Sequence, residues 1–318
     1  MIRTLATSLL LLAALPAHAQ DRGARADDAA FAADDPDEYV PPPADRLWYS
    51  NATFLRYNPL GLINVHRLGW RHRLSTNDSI LLQDTYTFVG AGAIVTPAWA
   101  RVGLYAEAQP LAILRVFVDV SGVGYFGTFD QILTWDDQGA KYDDRSIADR
   151  GDAGDASPEI GYTLTFGATL RAKVGPIAVR STAQVSRIDL SLDQEGLYFY
   201  DQYWDRLAPD GGWMVLNDFD MLYVEDKLRL GARWTFSDTL DGNGGATDGA
   251  LAHHRVGPMF AWQFYDKKLP RKFNQPTVFV LAQWWLKHPY RTGAEQPAAL
   301  PLIAAGFAFN GDLKVLRE

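Results

Sequence analysis

The chain contains no cysteine. That absence excludes a disulfide framework, a thiolate metal site and a cysteine nucleophile together. Beyond its first twenty residues it lacks any apolar run long enough to cross a bilayer as a helix. It also lacks a sustained period of 3.6 and any fixed internal repeat, which argues against helical bundles and solenoids. Positive charge is the minority sign, with 30 Lys and Arg against 38 Asp and Glu. A net charge of −8 offers nucleic acid no bulk attraction, and none is expected as a partner. No Gly-rich phosphate loop and no metal-spaced His/Cys set occurs, so no cofactor and no metal is expected.

What is present begins with an export pattern. Arg3 gives a short positive region, Leu9 to Leu15 an apolar stretch, and Ala17-His18-Ala19 a small-x-small cleavage site. Residues 1–19 read as a signal peptide, with the mature chain starting near Gln20. Its removal takes away Arg3 and no acid, making the mature chain one unit more negative. Residues 20–46 are acidic, Ala-rich and close in Pro41-Pro42-Pro43, a composition expected to stay disordered. Residues 47–318 form the folded domain.

In that domain apolar and polar residues alternate, punctuated by Gly, Pro, Asn and Asp. The clearest stretch is 159–174. Ile160, Tyr162, Leu164 and Phe166 through Val174 fall on one face, and Glu159, Thr163, Thr165, Arg171 and Lys173 on the other. Such a strand exceeds the roughly 9–11 residues that cross a bilayer when tilted. A turn at Gly175-Pro176 sets Val174 opposite Ile177 and Arg171 opposite Arg180. A second hairpin is expected to turn at Gln109-Pro110-Leu111, with Ala108 opposite Ala112. That register brings Arg101 opposite Asp119, a favourable cross-strand pair.

Further strands are expected near 47–57, 61–73, 79–90, 220–236, 253–265, 276–287 and 299–309. The resulting count is odd, whereas bacterial single-chain barrels are normally even. The missing strand falls either at 312–317, after the Asn310-Gly311 turn signal, or within 189–218. Long polar connections at 126–158 and 189–218 contrast with the short turns at 109–111 and 175–176.

Alternation alone does not say which face is wet. A lipocalin-like barrel buries its apolar face, and a membrane barrel presents it to lipid. Strand length favours lipid. So do aromatics near strand ends: Trp48 and Tyr49, Trp99, Tyr125 and Phe126, Trp234 and Phe236, Trp284 and Trp285, read as interfacial girdles. From signal segment to Phe309 the chain resembles the Gram-negative outer-membrane β-barrel class. The resemblance is architectural and implies an all-β fold: one antiparallel transmembrane barrel of about 12 strands, with long extracellular loops and short periplasmic turns. It implies outer-membrane lipid as a partner and the outer membrane as the location. Barrels of this class commonly end in a strand with a terminal aromatic. Gly306-Phe307-Ala308-Phe309 looks like one, yet the sequence continues to Glu318.

If the apolar face meets lipid, the opposite face lines a lumen. The residues expected there are Arg101, Glu107, Arg115, Asp119, Arg171, Lys173, Arg180, Glu225, Lys227, Arg229 and Arg233. Opposed Arg171 and Arg180 need compensation. The loop 126–158 carries Asp136, Asp137, Asp143, Asp144, Asp149, Asp152 and Asp155 and is expected to fold into the mouth against this basic wall. The arrangement resembles general diffusion porins, which implies filtering of small hydrophilic solutes by size and charge. The bland alternative is a solvated loop over a salt-bridged, closed lumen.

No catalytic residue is expected. Outer-membrane lipid hydrolases need a Ser with His and a polar orienter on one wall, and His66, His72, His253, His254 and His288 lie in no such motif. Asp241 to Gly245 opens like a calcium loop, but its twelfth position is Ala252 rather than Glu. Arg150-Gly151-Asp152 is a chance-level tripeptide. The leading expectation is therefore a passive channel for small hydrophilic solutes. The runner-up is a non-conducting barrel whose extracellular loops bind a ligand or surface partner, and a lipid hydrolase is third. Oligomeric state is not readable.

Overall fold

Long alternating segments need a partner on each edge, and a closed sheet supplies both. A computed structural model describes residues 41–129, 131–192, 198–240, 252–267 and 270–317. The strands are β1 (Asp45–Tyr57), β2 (Gly61–Arg73), β3 (Tyr86–Val95), β4 (Trp99–Leu111), β5 (Leu114–Phe126), β6 (Thr134–Trp135), β7 (Pro158–Val174) and β8 (Ile177–Leu190). They continue as β9 (Tyr198–Asp201), β10 (Arg206–Pro209), β11 (Trp213–Glu225), β12 (Leu228–Thr239), β13 (His253–Gln263), β14 (Asn274–Lys287) and β15 (Leu302–Arg317). Among the described residues one helix, α1 (Asp144–Asp152), lies between β6 and β7.

Twelve strands close into one antiparallel barrel in the order β1-β15-β14-β13-β12-β11-β8-β7-β5-β4-β3-β2. Closure is made by β1, which pairs with β2 on one side and β15 on the other. The short strands β10, β9 and β6 form a separate three-stranded sheet. The fold is thus the expected all-β barrel. Leu55, Val102, Leu104, Ile160, Met221 and Leu286 are among the large apolar side chains that point outward and are more than half exposed. A belt of this kind is stable against lipid rather than water. Asn51, Thr53, Asn64 and His66 interrupt it on β1 and β2, and they bond to one another.

The β7–β8 hairpin has the expected register, with Val174 opposite Ile177 and Arg171 opposite Arg180. Gly175 supplies the left-handed φ of 57° that this tight turn requires. The β4–β5 hairpin differs. Its turn is Ala112-Ile113, Leu111 pairs with Leu114, and Gln109-Pro110 forms a bulge instead of the turn. Ala108 therefore faces Val116, Tyr105 faces Asp119 and Arg101 faces Val123. The Arg101–Asp119 pairing does not occur. The shift is an even number of residues, so both strands keep their expected faces.

The strand expected at 220–236 is two. They are broken at Asp226-Lys227, where Asp226 takes a left-handed φ of 43° without a glycine. The twelfth strand is thus β11, beginning inside the 189–218 interval. Asn310-Gly311 is not a turn, because β15 runs through it paired with Ser50 and Tyr49. The segment expected at 79–90 starts late, at Tyr86. Ser79 donates its amide to the Asn77 side chain and accepts from Leu82 and Gln83, a local turn that pre-empts the strand.

Both ends of the ladder, Asp45 and Arg317, meet at one rim. That rim carries the tight turns 112–113, 175–176 and 226–227, but also the longer connections 74–85 and 264–273. The opposite rim carries 127–157, 191–212, 240–252 and 288–301, with two short turns at 58–60 and 96–98. The signal segment, most of 20–46 and the calcium-like 241–245 lie outside the described residues.

Candidate functional site in the barrel lumen

Inward phase is set by strand parity, and it places the large polar residues inside. On β4 it buries Trp99, Arg101, Tyr105 and Glu107. Four of the nine aromatics expected as girdles also fall on this phase. Trp48, Trp99, Tyr125 and Trp285 are buried in the lumen, each 5% exposed or less. Outward rings are made by Tyr57, Phe126, Tyr162, Trp234 and Trp284 toward the long-loop rim, and by Trp70, Tyr223, Trp262 and Phe264 toward the other.

The long loops fold back into the mouth as a cap. Phe199, Trp204 and Ala208 pack against Trp99, Val123, Tyr125, Ile188 and Met214 of the inner wall. Leu133, Trp135, Tyr142, Tyr198, Tyr200 and Leu207 form a second apolar cluster above them. Asp201 orders the turn that follows it, its Oδ1 accepting from the amides of Tyr203 at 2.7 Å and Trp204 at 3.1 Å. Its Oδ2 accepts from Arg101 Nη2 at 3.1 Å, fastening the cap to β4. Arg56 fastens it to β1, donating to the carbonyls of Gln202 at 2.6 Å and Tyr203 at 3.0 Å.

Above that turn sits buried Asp205. Arg291 donates through Nε to Oδ2 at 2.5 Å and through Nη2 to Oδ1 at 2.8 Å. Tyr200 Oη donates to Oδ1 at 2.8 Å. Burial would raise the Asp205 carboxyl, but Arg291, His288 and Tyr200 outweigh it and hold it well below the usual carboxylate range. His288 accepts from the Tyr290 amide at Nδ1 and faces the Asp205 carbonyl from Nε2 at 3.2 Å. That is the pattern of a neutral imidazole, and burial, resisted by Asp205 and reinforced by Arg291, lowers its pKa. The ring packs against His253 at a tilt of 46° with centroids 4.2 Å apart, and Tyr142 Oη lies 3.3 Å from His253 Nε2. His254 points outward, against Trp234 and Phe236.

The expected acidic residues are spread over the cap rather than aimed at the basic wall. Asp143 caps α1 through Ser146 and pairs with Lys141. Burial opposes its charge, but these partners hold its pKa at about 2. Asp144 pairs with Arg291 at 3.1 Å, Asp149 with Arg145 at 3.7 Å and Asp155 with Arg150 at 2.8 Å. Asp137 accepts from the Gly139 amide, while Asp136 and Asp152 are exposed.

What neutralises the wall is Asp220 on β11, directly opposite Arg180 and Arg233. Arg180 Nη2 lies 2.5 Å from Asp220 Oδ2 and Arg233 Nε lies 2.7 Å from Oδ1. Arg171, facing Arg180, donates to the Ala112 carbonyl at 2.8 Å. Arg229 reaches Gln263 at 3.2 Å, and Arg115 lies 3.7 Å from Glu107, which also accepts from Tyr86 and Tyr105. Asp119 accepts from Ser121 at 2.5 Å. Lys173 stands on the inward phase near its strand end. Glu225 is on the outward phase, bonded by Tyr223 Oη, and Lys227 is exposed in the turn, so neither lines the lumen.

Between cap and floor a chamber of about 260 Å³ remains. Tyr203 and Trp204 roof it. Below it, Trp48, Tyr86, Phe88, Tyr105 and Phe117 pack together, with guanidiniums over several of the rings: Arg71 is 3.6 Å from the Tyr86 ring centre and Arg67 4.0 Å from that of Tyr105. The chamber wall is rich in hydroxyls, among them Ser50, Ser121, Thr163, Thr165, Thr182 and Thr235. Arg56, Arg67, Asp201, Asp205, Asp220, Arg255 and Arg291 were not singled out from sequence. Arg56 and Arg67 share strand parity with Arg46 and Arg71, a readable signal. Asp201 and Asp205 sit among Tyr200, Tyr203 and Trp204, too aromatic a run for a solvated loop.

No protein-family model matches the chain, and no curated protein sequence matches it. Among solved structures, the translocator domain of autotransporter NalP from Neisseria meningitidis is 10% identical over 86% of this chain and 90% of its own, with a TM-score of 0.40. OmpF from Salmonella typhi is 11% identical, covering 84% and 98%, at 0.34. The toluene transporter TodX from Pseudomonas putida is 8% identical, covering 84% and 87%, at 0.31. The strand ladder, rather than these likenesses, establishes the barrel.

Proposed function

We propose that this is an outer-membrane channel for small hydrophilic solutes, held shut by its own cap. The rim bearing the long loops faces the cell exterior and the rim holding both strand termini faces the periplasm. The observation that carries this reading is the chamber. Protein interiors pack to crystal density, and a void lined by hydroxyls and charges costs stability unless water or solute fills it. A barrel that served only as a scaffold would be expected to fill that space. Passage requires the Tyr203–Trp204 roof to lift and the guanidinium–aromatic floor to part.

The test is conductance in planar bilayers. The native barrel should be nearly silent, with rare openings. Tyr203→Ala with Trp204→Ala should raise the open fraction, and adding Arg71→Ala should give a steady conductance. Silence of all three, each shown to be folded by its heat-dependent gel shift, would sink the channel reading. It would favour a second one: a non-conducting barrel whose cap binds a surface partner. The ordered Asp205–Arg291–Tyr200 network supports that alternative, since it makes the cap a preformed platform.

A further inference from the structure

We propose that the chamber is an anion site, taking a small solute that bears a carboxylate or phosphate group. The inference rests on the channel reading and adds the solute class. Six arginines line the chamber, Arg56, Arg67, Arg101, Arg115, Arg233 and Arg255, against two acids, Asp119 and Asp218. Several of these cations are matched from behind: Arg101 by Asp201, Arg115 by Glu107 and Arg233 by Asp220. Arg56 and Arg255 are not matched in that way. The hydrogen bonds of Arg56 go to the carbonyls of Pro59, Gln202 and Tyr203. Arg255 donates Nε to the neutral Gln283 Oε1 at 3.0 Å and lies 5.1 Å from the Trp285 ring centre.

A guanidinium fixed by a neutral amide at Nε, with an aromatic plane beside it, is oriented but not neutralised. Its charge faces the chamber, where Asp218 and Asp205 compensate it and Arg56 and Arg233 oppose it. An entering carboxylate or phosphate would relieve that repulsion and accept a bidentate bond. Thr235 Oγ1 is engaged with Asp218, but other hydroxyls of the chamber wall, among them Thr165 and Ser186, suit the remaining oxygens of a hydrophilic anion. A neutral sugar would gain the hydroxyl contacts alone.

Two measurements separate this inference from the channel reading beneath it. The first is binding to detergent-solubilised protein, native and Tyr203→Ala/Trp204→Ala, followed by calorimetry. The probes are inorganic phosphate, succinate and glucose. Phosphate or succinate should saturate the site and glucose should not. Arg255→Gln should weaken the bound anion about tenfold or more, the loss of one charge-assisted bidentate contact. The ratio of phosphate to succinate affinity identifies the anionic group. The second is the reversal potential of the conducting variant in a KCl gradient, which should report anion preference and move toward zero with Arg255→Gln. Saturable anion binding without conductance in any variant would overturn the channel and keep the site. Steady conductance with no anion preference, and anions binding no better than glucose, would overturn the site and keep the channel.

Discussion

Asp205 and Arg291, eighty-six positions apart, form a two-pronged ion pair that joins the β9–β10 turn to the loop between β14 and β15. Arg291 also reaches Asn58 and Asp144, so one guanidinium collects three connections at the long-loop rim. Asp205→Asn should leave that guanidinium buried and undercompensated. The expected cost to cap closure is about 3–5 kcal/mol. Amide exchange over 198–209 would rise by orders of magnitude while the barrel strands keep their protection. Unchanged exchange in the cap would refute the anchor role. Because the Asp205 pKa is depressed, its stabilisation is complete above the ordinary carboxylate range and is lost only as pH falls through the lower folded value.

His288 gives the cap a second, milder pH dependence. Its Nδ1 accepts from the Tyr290 amide, a bond that protonation abolishes. Its folded pKa is lowered, chiefly by burial, with Asp205 resisting and Arg291 and Arg206 reinforcing. A depressed imidazole contributes stability that is full above the unfolded value of about 6.5 and declines as pH drops below it. Cap exchange should therefore speed up between pH 7 and pH 5, by no more than about tenfold per pH unit for one proton. His288→Gln should flatten that dependence. A native cap whose exchange shows no such trend, after correction for intrinsic rates, would contradict it.

The wall was more legible than its contents, for reasons of periodicity. A stretch such as 159–174 states its faces at every second residue, and Gly175-Pro176 marks its end, so faces and register follow together. Pro110 misled because it lacks an N–H and imitates a turn, whereas the chain absorbs it in a bulge beside Gln109. The β11–β12 turn gave no Gly or Pro signal, since Asp226 itself takes the left-handed conformation. Trp48 and Trp99 look like girdle residues by height, although they share parity with Arg46 and Arg101 and so belong inside. Asp201 and Asp205 lie at the end of the four-residue β9 and in the turn after it, too short a stretch for a period to state a direction.

The β4–β5 register can be checked without background, because the chain has no cysteine of its own. Leu104 and Val120 are direct partners, and both belong to the outward face. A Leu104→Cys/Val120→Cys pair should oxidise readily. The turn at 109–111 would instead set Leu104 against Val116, four residues and roughly 13 Å farther along the strand. Leu104→Cys/Val116→Cys should stay reduced. The opposite pattern, read from gel mobility with and without reductant, would place the turn at 109–111 instead.

Asp220 compensates two guanidiniums of the wall at once. It is fully buried and faces Arg180 on β8 and Arg233 on β12, while Arg180 is itself opposed to Arg171. Asp220→Asn keeps the size but removes the charge both guanidiniums were closed around. The expected loss is about 3–5 kcal/mol in the unfolding free energy of the lipid-inserted barrel, followed by urea titration. Arg180→Met in the same chain should recover part of it, because an apolar side chain of similar length carries no uncompensated charge. The order of effects distinguishes an ion-pair hub from simple packing. If packing dominated, the isosteric Asn would cost under about 1 kcal/mol and Arg180→Met would add to the damage rather than relieve it.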